Sequence, residues 1–310
     1  MAHVLAGIDG SLAALVTPFR DGGVDTTALA RLCVRQIACG TAGLVVCGST
    51  GEASTLTGPE RLRVLRSVVE ATARRVPVIA GCTATATARA VALALEAKQA
   101  GADALLCAAP PYAKPTQDGI VAHIRAVAHA ADLPVVLYDV PGRVGVAIAD
   151  ATIARLFEQE SIVALKDATA DLARPPRLRA LCGDTFLQLS GDDATQAAYR
   201  AMGGQGCISV TANVVPALSA LLHRAWDNGD LAEFNRIRDG LDPLHRALFA
   251  ESNPIPLKAA LAELGLCTDT VRLPLTRAMP ATAERLRHVL ATVMPIETAA
   301  VPRPRYRLVG

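Results

Sequence analysis

The chain has 310 residues, of which 51% are hydrophobic, 19% charged and 3% aromatic, with 31 basic residues against 29 acidic ones. That much apolar surface offsets the entropy of ordering and excludes chain-wide disorder. The near balance of charge excludes a broad basic footprint for nucleic acid or an anionic membrane. Of the basic residues 27 are arginine and only four are lysine, Lys98, Lys114, Lys166 and Lys258, so few amines are available as nucleophiles. Length alone predicts about two domains, although α/β barrels of roughly 250 residues form a single one.

The first ten residues have no basic start, and Asp9 interrupts their apolar run. This reads as the absence of a targeting segment and predicts a cytoplasmic protein. Short β-branched, apolar runs then alternate with stretches of helical period. The expected strands are Leu12–Thr17, Gly43–Gly48, Val76–Gly81, Ala104–Ala109, Pro134–Val140, Ile162–Lys166, Phe186–Ser190 and Gly206–Thr211. The expected helices are Thr27–Ala38, Pro59–Arg75, Thr87–Ala100, Gly119–Ala131, Asp150–Gln159, Asp171–Leu181, Asp193–Met202 and Pro216–Trp226. This rhythm implies a parallel sheet, and eight β–α units match a (β/α)8 TIM barrel. A doubly wound open sheet is the runner-up, but no G-x-G-x-x-G follows the first strand. The charge-free stretch Gly204–Leu222 contains Gln205, Asn213 and Pro216 and reads as a strand plus a helix rather than a membrane span.

Beyond about Asp230 the period is helical and strand signals stop, which predicts a C-terminal extension of two or three packed helices. The expected organisation is a barrel over residues 1–229, a helical domain over 230–296 and a tail rich in Pro and Arg over 297–310. The eight cysteines form no C-x-x-C pair and lie in apolar runs, as expected of buried reduced thiols. The six histidines have no metal-ligand spacing, so no metal is expected.

A barrel of this kind carries its active site at the carboxyl ends of its strands. Polar residues gather there: Gly48-Ser49-Thr50-Gly51-Glu52 after the second strand, Pro110-Pro111-Tyr112 after the fourth and Tyr138-Asp139-Val140-Pro141-Gly142-Arg143 after the fifth. Lys166-Asp167, Ser190-Gly191-Asp192-Asp193 and Ser209-Val210-Thr211-Ala212-Asn213 close the sixth, seventh and eighth. Alternation puts Lys166 on the face of Ala164 and Ala168, whose small side chains leave room for a long amine and a ligand. Partial desolvation there favours the neutral nucleophile needed for a Schiff base; the plain alternative is a lysine whose head reaches water. Tyr138, on the adjacent strand, is positioned to move protons for such chemistry, or is an ordinary core aromatic. The Gly48–Gly51 loop suits a carboxylate or phosphate, and Arg143 a bidentate carboxylate pair. Asp192-Asp193 reads as a helix cap, and Gly203-Gly204-Gln205-Gly206 as a tight turn.

Together, Gly48-Ser49-Thr50-Gly51-Glu52, Leu137-Tyr138-Asp139-Val140-Pro141-Gly142-Arg143 and Leu165-Lys166-Asp167-Ala168-Thr169 resemble the signatures of the dihydrodipicolinate synthase (4-hydroxy-tetrahydrodipicolinate synthase) family. These are pyruvate-dependent class I aldolases related to N-acetylneuraminate lyase. Thr17-Pro18-Phe19, Leu189–Asp193, Ile208–Asn213 and Asn253-Pro254-Ile255-Pro256 support the likeness, which runs from about Gly10 to Met294. The resemblance implies that Lys166 forms an imine with pyruvate, that Tyr138 is the proton donor and acceptor, and that Ser49 and Tyr112 complete a proton relay. It implies that Tyr112 acts across a dimer interface in the partner's site, within a dimer or a homotetramer built as a dimer of dimers. Thr50, Ile208 (through its backbone) and Gly191 are implied as substrate contacts, and Arg143 as receiving the carboxylate of aspartate semialdehyde. No cofactor is implied beyond pyruvate itself, held covalently.

Three departures stand out. Ser49 replaces the usual Thr and loses a stiffening methyl, Asp139 replaces the common Asn and brings an acid next to Tyr138, and Val144 replaces a frequent Thr or Ser. The positions matching a lysine-inhibition site are Gly58, Arg61, Thr85, Arg89 and Pro111. Arg89 there replaces a carboxylate and would repel lysine's ammonium, so feedback insensitivity is expected. Another pyruvate-dependent lyase acting on a sugar acid or hydroxy acid, and a non-catalytic metabolite-binding barrel, are the alternatives.

Overall fold

Every residue of the eight central strands is buried, so these segments are near-continuous apolar runs covered on both faces, the pattern of a parallel sheet wrapped by helices. In the computed structural model, which describes Leu5 and residues 8–302, the barrel strands are β1 (Gly10–Ala14), β2 (Gly43–Val46), β3 (Val78–Gly81), β4 (Ala104–Ala108), β5 (Val135–Asp139), β6 (Ile162–Asp167), β7 (Leu187–Ser190) and β8 (Gly206–Ser209). Each pairs in parallel with its neighbour, and β8 returns to β1 to close the barrel. The chain is a (β/α)8 TIM barrel with a C-terminal helical part.

The eight expected strands all form, with ends displaced by up to three residues. Helix starts are set by local chemistry: Thr57 and Glu60 make a reciprocal capping box at Gly58–Thr72, and the Thr116 hydroxyl accepts from Gly119 N–H at the head of Gln117–Ala131. Two helices start three residues later than the sequence implies, at Arg174 and Gln196. Asp171 turns its carboxylate to Ala173 N–H, and Asp193 spends its carboxylate on the end of β8. Of the expected cap pair, Asp192 serves the turn ahead of the helix, accepting from Ala194 N–H and the Thr195 hydroxyl.

Past the barrel the described residues form three helices, Leu231–Leu248, Ile255–Glu263 and Pro280–Ala300, which share a second apolar core with Pro216–Asp227. Residues 297–300, expected to begin the tail, continue the last of these helices. Glu297 is buried there and accepts from Ala217 and Leu218 N–H at 2.9 Å, capping a barrel helix. Residues 303–310 of the expected tail lie outside the described residues.

Candidate active site

At the carboxyl end of the barrel a cavity of about 200 Å³ is lined by Ser49, Thr50, Tyr138, Arg143, Lys166 and Gly191, together with apolar side chains from several strands. Six of the eight residues proposed from the sequence therefore meet in one place. Ile208 is buried in β8 and is not part of the lining, where Val210 stands instead. Tyr112 is also absent from it: its side chain is 94% exposed and its φ of 71° lies in the left-handed region that non-glycine residues rarely occupy.

Register explains the central pair. Tyr138 on β5 is directly opposite Lys166 on β6, so both side chains leave the sheet on its inner face. The Lys166 Nζ sits 4.5 Å from the Tyr138 ring centroid, and Lys166 is only 6% exposed. No carboxylate among the described residues pairs with it, in contrast to Lys258, whose ammonium meets Glu52 at 2.5 Å, and Lys98, which meets Asp132. Gly191 makes room for it: a Cβ there would lie 3.1 Å from Lys166 Cε and 3.0 Å from Ala168 Cβ.

The rim is built by the Gly48–Glu52 loop and by Asn253. Thr17 donates to Gly51 O at 2.7 Å, and Asn253 Nδ2 donates to Thr50 Oγ1 at 2.9 Å. The backbone N–H groups of Ser49 and Thr50 donate to no protein acceptor among the described residues, which leaves them free for an anion. Arg143 Nη2 donates to Asn253 O at 3.3 Å, so Asn253 bridges the loop and the arginine. Asn253 also has a buried Oδ1 without a hydrogen-bond partner. The Asn253-Pro254 motif is visible in the sequence, but nothing local to it points to the site. Phe249, also in the lining, follows a C-terminal helix and has no sequence signal that could have found it.

The acid at position 139 does not join the site. Strand alternation turns Asp139 to the outer face, where it is fully buried and accepts from Arg174 Nη1 at 2.7 Å. Burial pushes its carboxyl up, and the Arg174 guanidinium opposes that shift. Among the described residues, no three His, Cys, Asp or Glu side chains are grouped so as to hold a metal ion, and no helix is long and apolar enough to cross a membrane.

Residues 7–293 match the Dihydrodipicolinate synthetase family. A 4-hydroxy-tetrahydrodipicolinate synthase of Rhodospirillum centenum is 50% identical over 281 residues, covering 91% of this chain and 97% of that protein. The structure of the 4-hydroxy-tetrahydrodipicolinate synthase from Methylacidiphilum fumariolicum matches with a TM-score of 0.92 at 35% identity, over 94% of this chain and 98% of that one. The chloride-inhibited dihydrodipicolinate synthase from Acinetobacter baumannii, complexed with pyruvate, matches with a TM-score of 0.89 at 41% identity, over 93% and 99%. With these relatives spanning nearly the whole barrel and its helical extension, the chain belongs to the dihydrodipicolinate synthetase family, enzymes of the class I aldolase type that make or break carbon–carbon bonds.

Proposed function

We propose that the chain condenses pyruvate with L-aspartate-4-semialdehyde to 4-hydroxy-tetrahydrodipicolinate, the entry to diaminopimelate and lysine, through an imine on Lys166. The observation that carries this reading is the Lys166 amine, buried in the cavity 4.5 Å from the Tyr138 ring and free of any carboxylate among the described residues. An unpaired amine beside a phenol has the nucleophile and the proton carrier that imine chemistry needs.

The steps follow from those groups. The pyruvate carboxylate docks on the free N–H groups and hydroxyls of Ser49 and Thr50, which turns its ketone toward Lys166. Nζ adds to C2, and water leaves as Tyr138 passes protons to the departing oxygen. Loss of a C3 proton gives the enamine, whose C3 attacks the aldehyde carbon of the second substrate to form the new carbon–carbon bond. Arg143 at the cavity mouth receives that substrate's carboxylate. Its amine then adds to C2 and displaces Lys166, closing the ring and restoring the free enzyme. Gly191 serves as a close-approach position beside the lysine stem, and Ile208 contributes from β8 through its backbone.

The relay of Tyr138 and Ser49 needs Tyr112 from a second copy, which makes the active unit at least a dimer and fits a dimer of dimers. The exposure and left-handed backbone of Tyr112 support this, because an aromatic held in that conformation gains from a partner that covers it. We read residues 1–229 as the catalytic barrel and 230–296 as the helical part that supplies Asn253 to its rim. The eight free, buried cysteines support a reducing, cytoplasmic setting.

Feedback by lysine is absent in this reading. Arg89 Nη1 pairs with Glu96 at 3.1 Å, and Arg61 Nε approaches the same carboxylate at 3.8 Å, so the acid beside these two positions already faces two guanidinium groups. Borohydride reduction in the presence of pyruvate is the deciding experiment: a stable adduct on the Lys166 peptide is expected, and its absence overturns the mechanism. Millimolar L-lysine is expected to leave the rate unchanged; inhibition overturns the regulatory reading alone.

A further inference from the structure

Directly behind the reacting pair, on the outer face of the barrel, lies a second pair of residues in the same register. Asp139 follows Tyr138 on β5, Asp167 follows Lys166 on β6, and the two aspartates are direct neighbours across the strands. Both are buried, at 0% and 3% exposure. Two carboxylates on adjacent strands, about 5 Å apart backbone to backbone, repel strongly away from water. They are joined by one guanidinium. Arg174, itself 3% exposed, brings Nη1 to 2.7 Å from Asp139 and 3.4 Å from Asp167. Its Nε donates to Asp150 at 2.8 Å and its Nη2 to Ile148 O at 2.5 Å, so the fork is anchored at four points.

Other groups around the pair complete its environment. Ile148 N–H donates to Asp139 Oδ1, and Thr169 donates to Asp167 through both N–H and hydroxyl. The buried Tyr199 phenol faces Asp167 from the next helix, and burial followed by that negative charge pushes its ionisation up. The only cation that touches both aspartates is Arg174 among the described residues.

We propose that Arg174 is a positioning residue for the condensation: by joining Asp139 to Asp167 behind the sheet it fixes the twist of the two strand ends, and thereby the approach of Lys166 to Tyr138 in front of it. The inference rests on the Schiff-base reading above. The physical link is short. Side chains one residue apart on a strand leave opposite faces of a stiff backbone, so any splaying of the outer pair rotates the inner pair with it. The acid at position 139 belongs to the same device, because its contact with Arg174 is ionic where an amide would offer only a neutral acceptor.

The test compares Arg174→Lys, Arg174→Met and the double variant Arg174→Met with Asp139→Asn, each quantified per folded chain. Lysine offers a single point charge that cannot hold both aspartates and the Ile148 carbonyl at once. Arg174→Lys is expected to lower kcat at least ten-fold with KM for pyruvate changed less than about three-fold, to slow borohydride trapping of pyruvate in parallel, and to move the pH profile of kcat. Arg174→Met is expected to lose more. The double variant, which removes the carboxylate–carboxylate repulsion while an amide oxygen still accepts from Ile148 N–H, is expected to recover at least half of that loss in logarithmic terms. If Arg174→Lys lowers the melting temperature but keeps kcat and trapping rate within two-fold, the residue is structural only and the proposal fails. It fails equally if Asp139→Asn brings no recovery. Should the unaltered enzyme itself give no pyruvate adduct, the Schiff-base reading is at fault instead, so the two failures are distinguished.

Discussion

The other buried lysine offers the sharpest test of how the helical extension supports the site. Lys258 and Glu52 have fully buried side chains that meet at 2.5 Å; the ammonium also donates to Thr270 O at 2.8 Å and lies 4.0 Å from the Phe19 ring centroid. Burial pushes the Lys258 amine down, and the Glu52 charge opposes that shift. At this separation and an effective dielectric of about 20 the attraction is about 7 kcal/mol, most of it offset by the desolvation of both ions. Removing one partner exposes that asymmetry. Lys258→Met leaves Glu52 buried with one donor, Arg272 N–H at 3.0 Å, and should cost about 3–5 kcal/mol. For a chain of this size the melting temperature should fall by roughly 5–8 °C. Adding Glu52→Gln removes the stranded charge while keeping the acceptor for Arg272, so the double variant should regain about 2–3 kcal/mol. Because Glu52 ends the loop that starts with Gly48-Ser49-Thr50, KM for pyruvate should rise in the single variant and fall back in the double. Urea unfolding at fixed protein concentration, with steady-state kinetics on the same samples, measures both. A single variant within 1 kcal/mol of the parent, or a double no more stable than the single, refutes the reasoning.

Three further expectations follow from other parts of the site. Gly191→Ala sets a methyl 3.1 Å from Lys166 Cε, and kinetics should show kcat reduced about 10- to 100-fold by the displaced amine; trapping at the parent's rate would count against this. Tyr112→Ala should leave the fold of each chain intact, since the side chain is 94% exposed on the chain by itself, yet lose most of its activity. Refolding it together with Lys166→Ala chains should restore part of that activity in mixed dimers, and none in either variant alone. Glu60 is held down to about 2 from the usual 4.5, first by its hydrogen bond with Arg272 and then by Thr57. A carboxyl lowered in the folded state stabilises above pH 4.5, and the benefit disappears as pH falls toward 2. Melts should therefore place Glu60→Gln about 1 kcal/mol below the parent at pH 7, with the gap closing between pH 4.5 and 2.

Both the barrel and the place of Lys166 at a strand end were legible in the sequence because they depend on local patterns. Eight apolar β-branched runs separated by helical periods leave few ways to bury every strand on both faces. Lys166 was conspicuous among four lysines because it ends one of those runs. Tyr138 could be matched to it because neighbouring strands of a parallel barrel align their ends. Direction and distance were another matter. That Asp139 turns outward to Arg174, that Val210 joins the cavity lining, and that Asp193 braces β8 instead of capping a helix depend on which face each side chain leaves. The roles of Asn253 and Phe249 depend on contacts between segments some 200 residues apart, such as Asn253 with Thr50. No local propensity encodes those contacts; only the packing of the helical extension against the barrel mouth produces them.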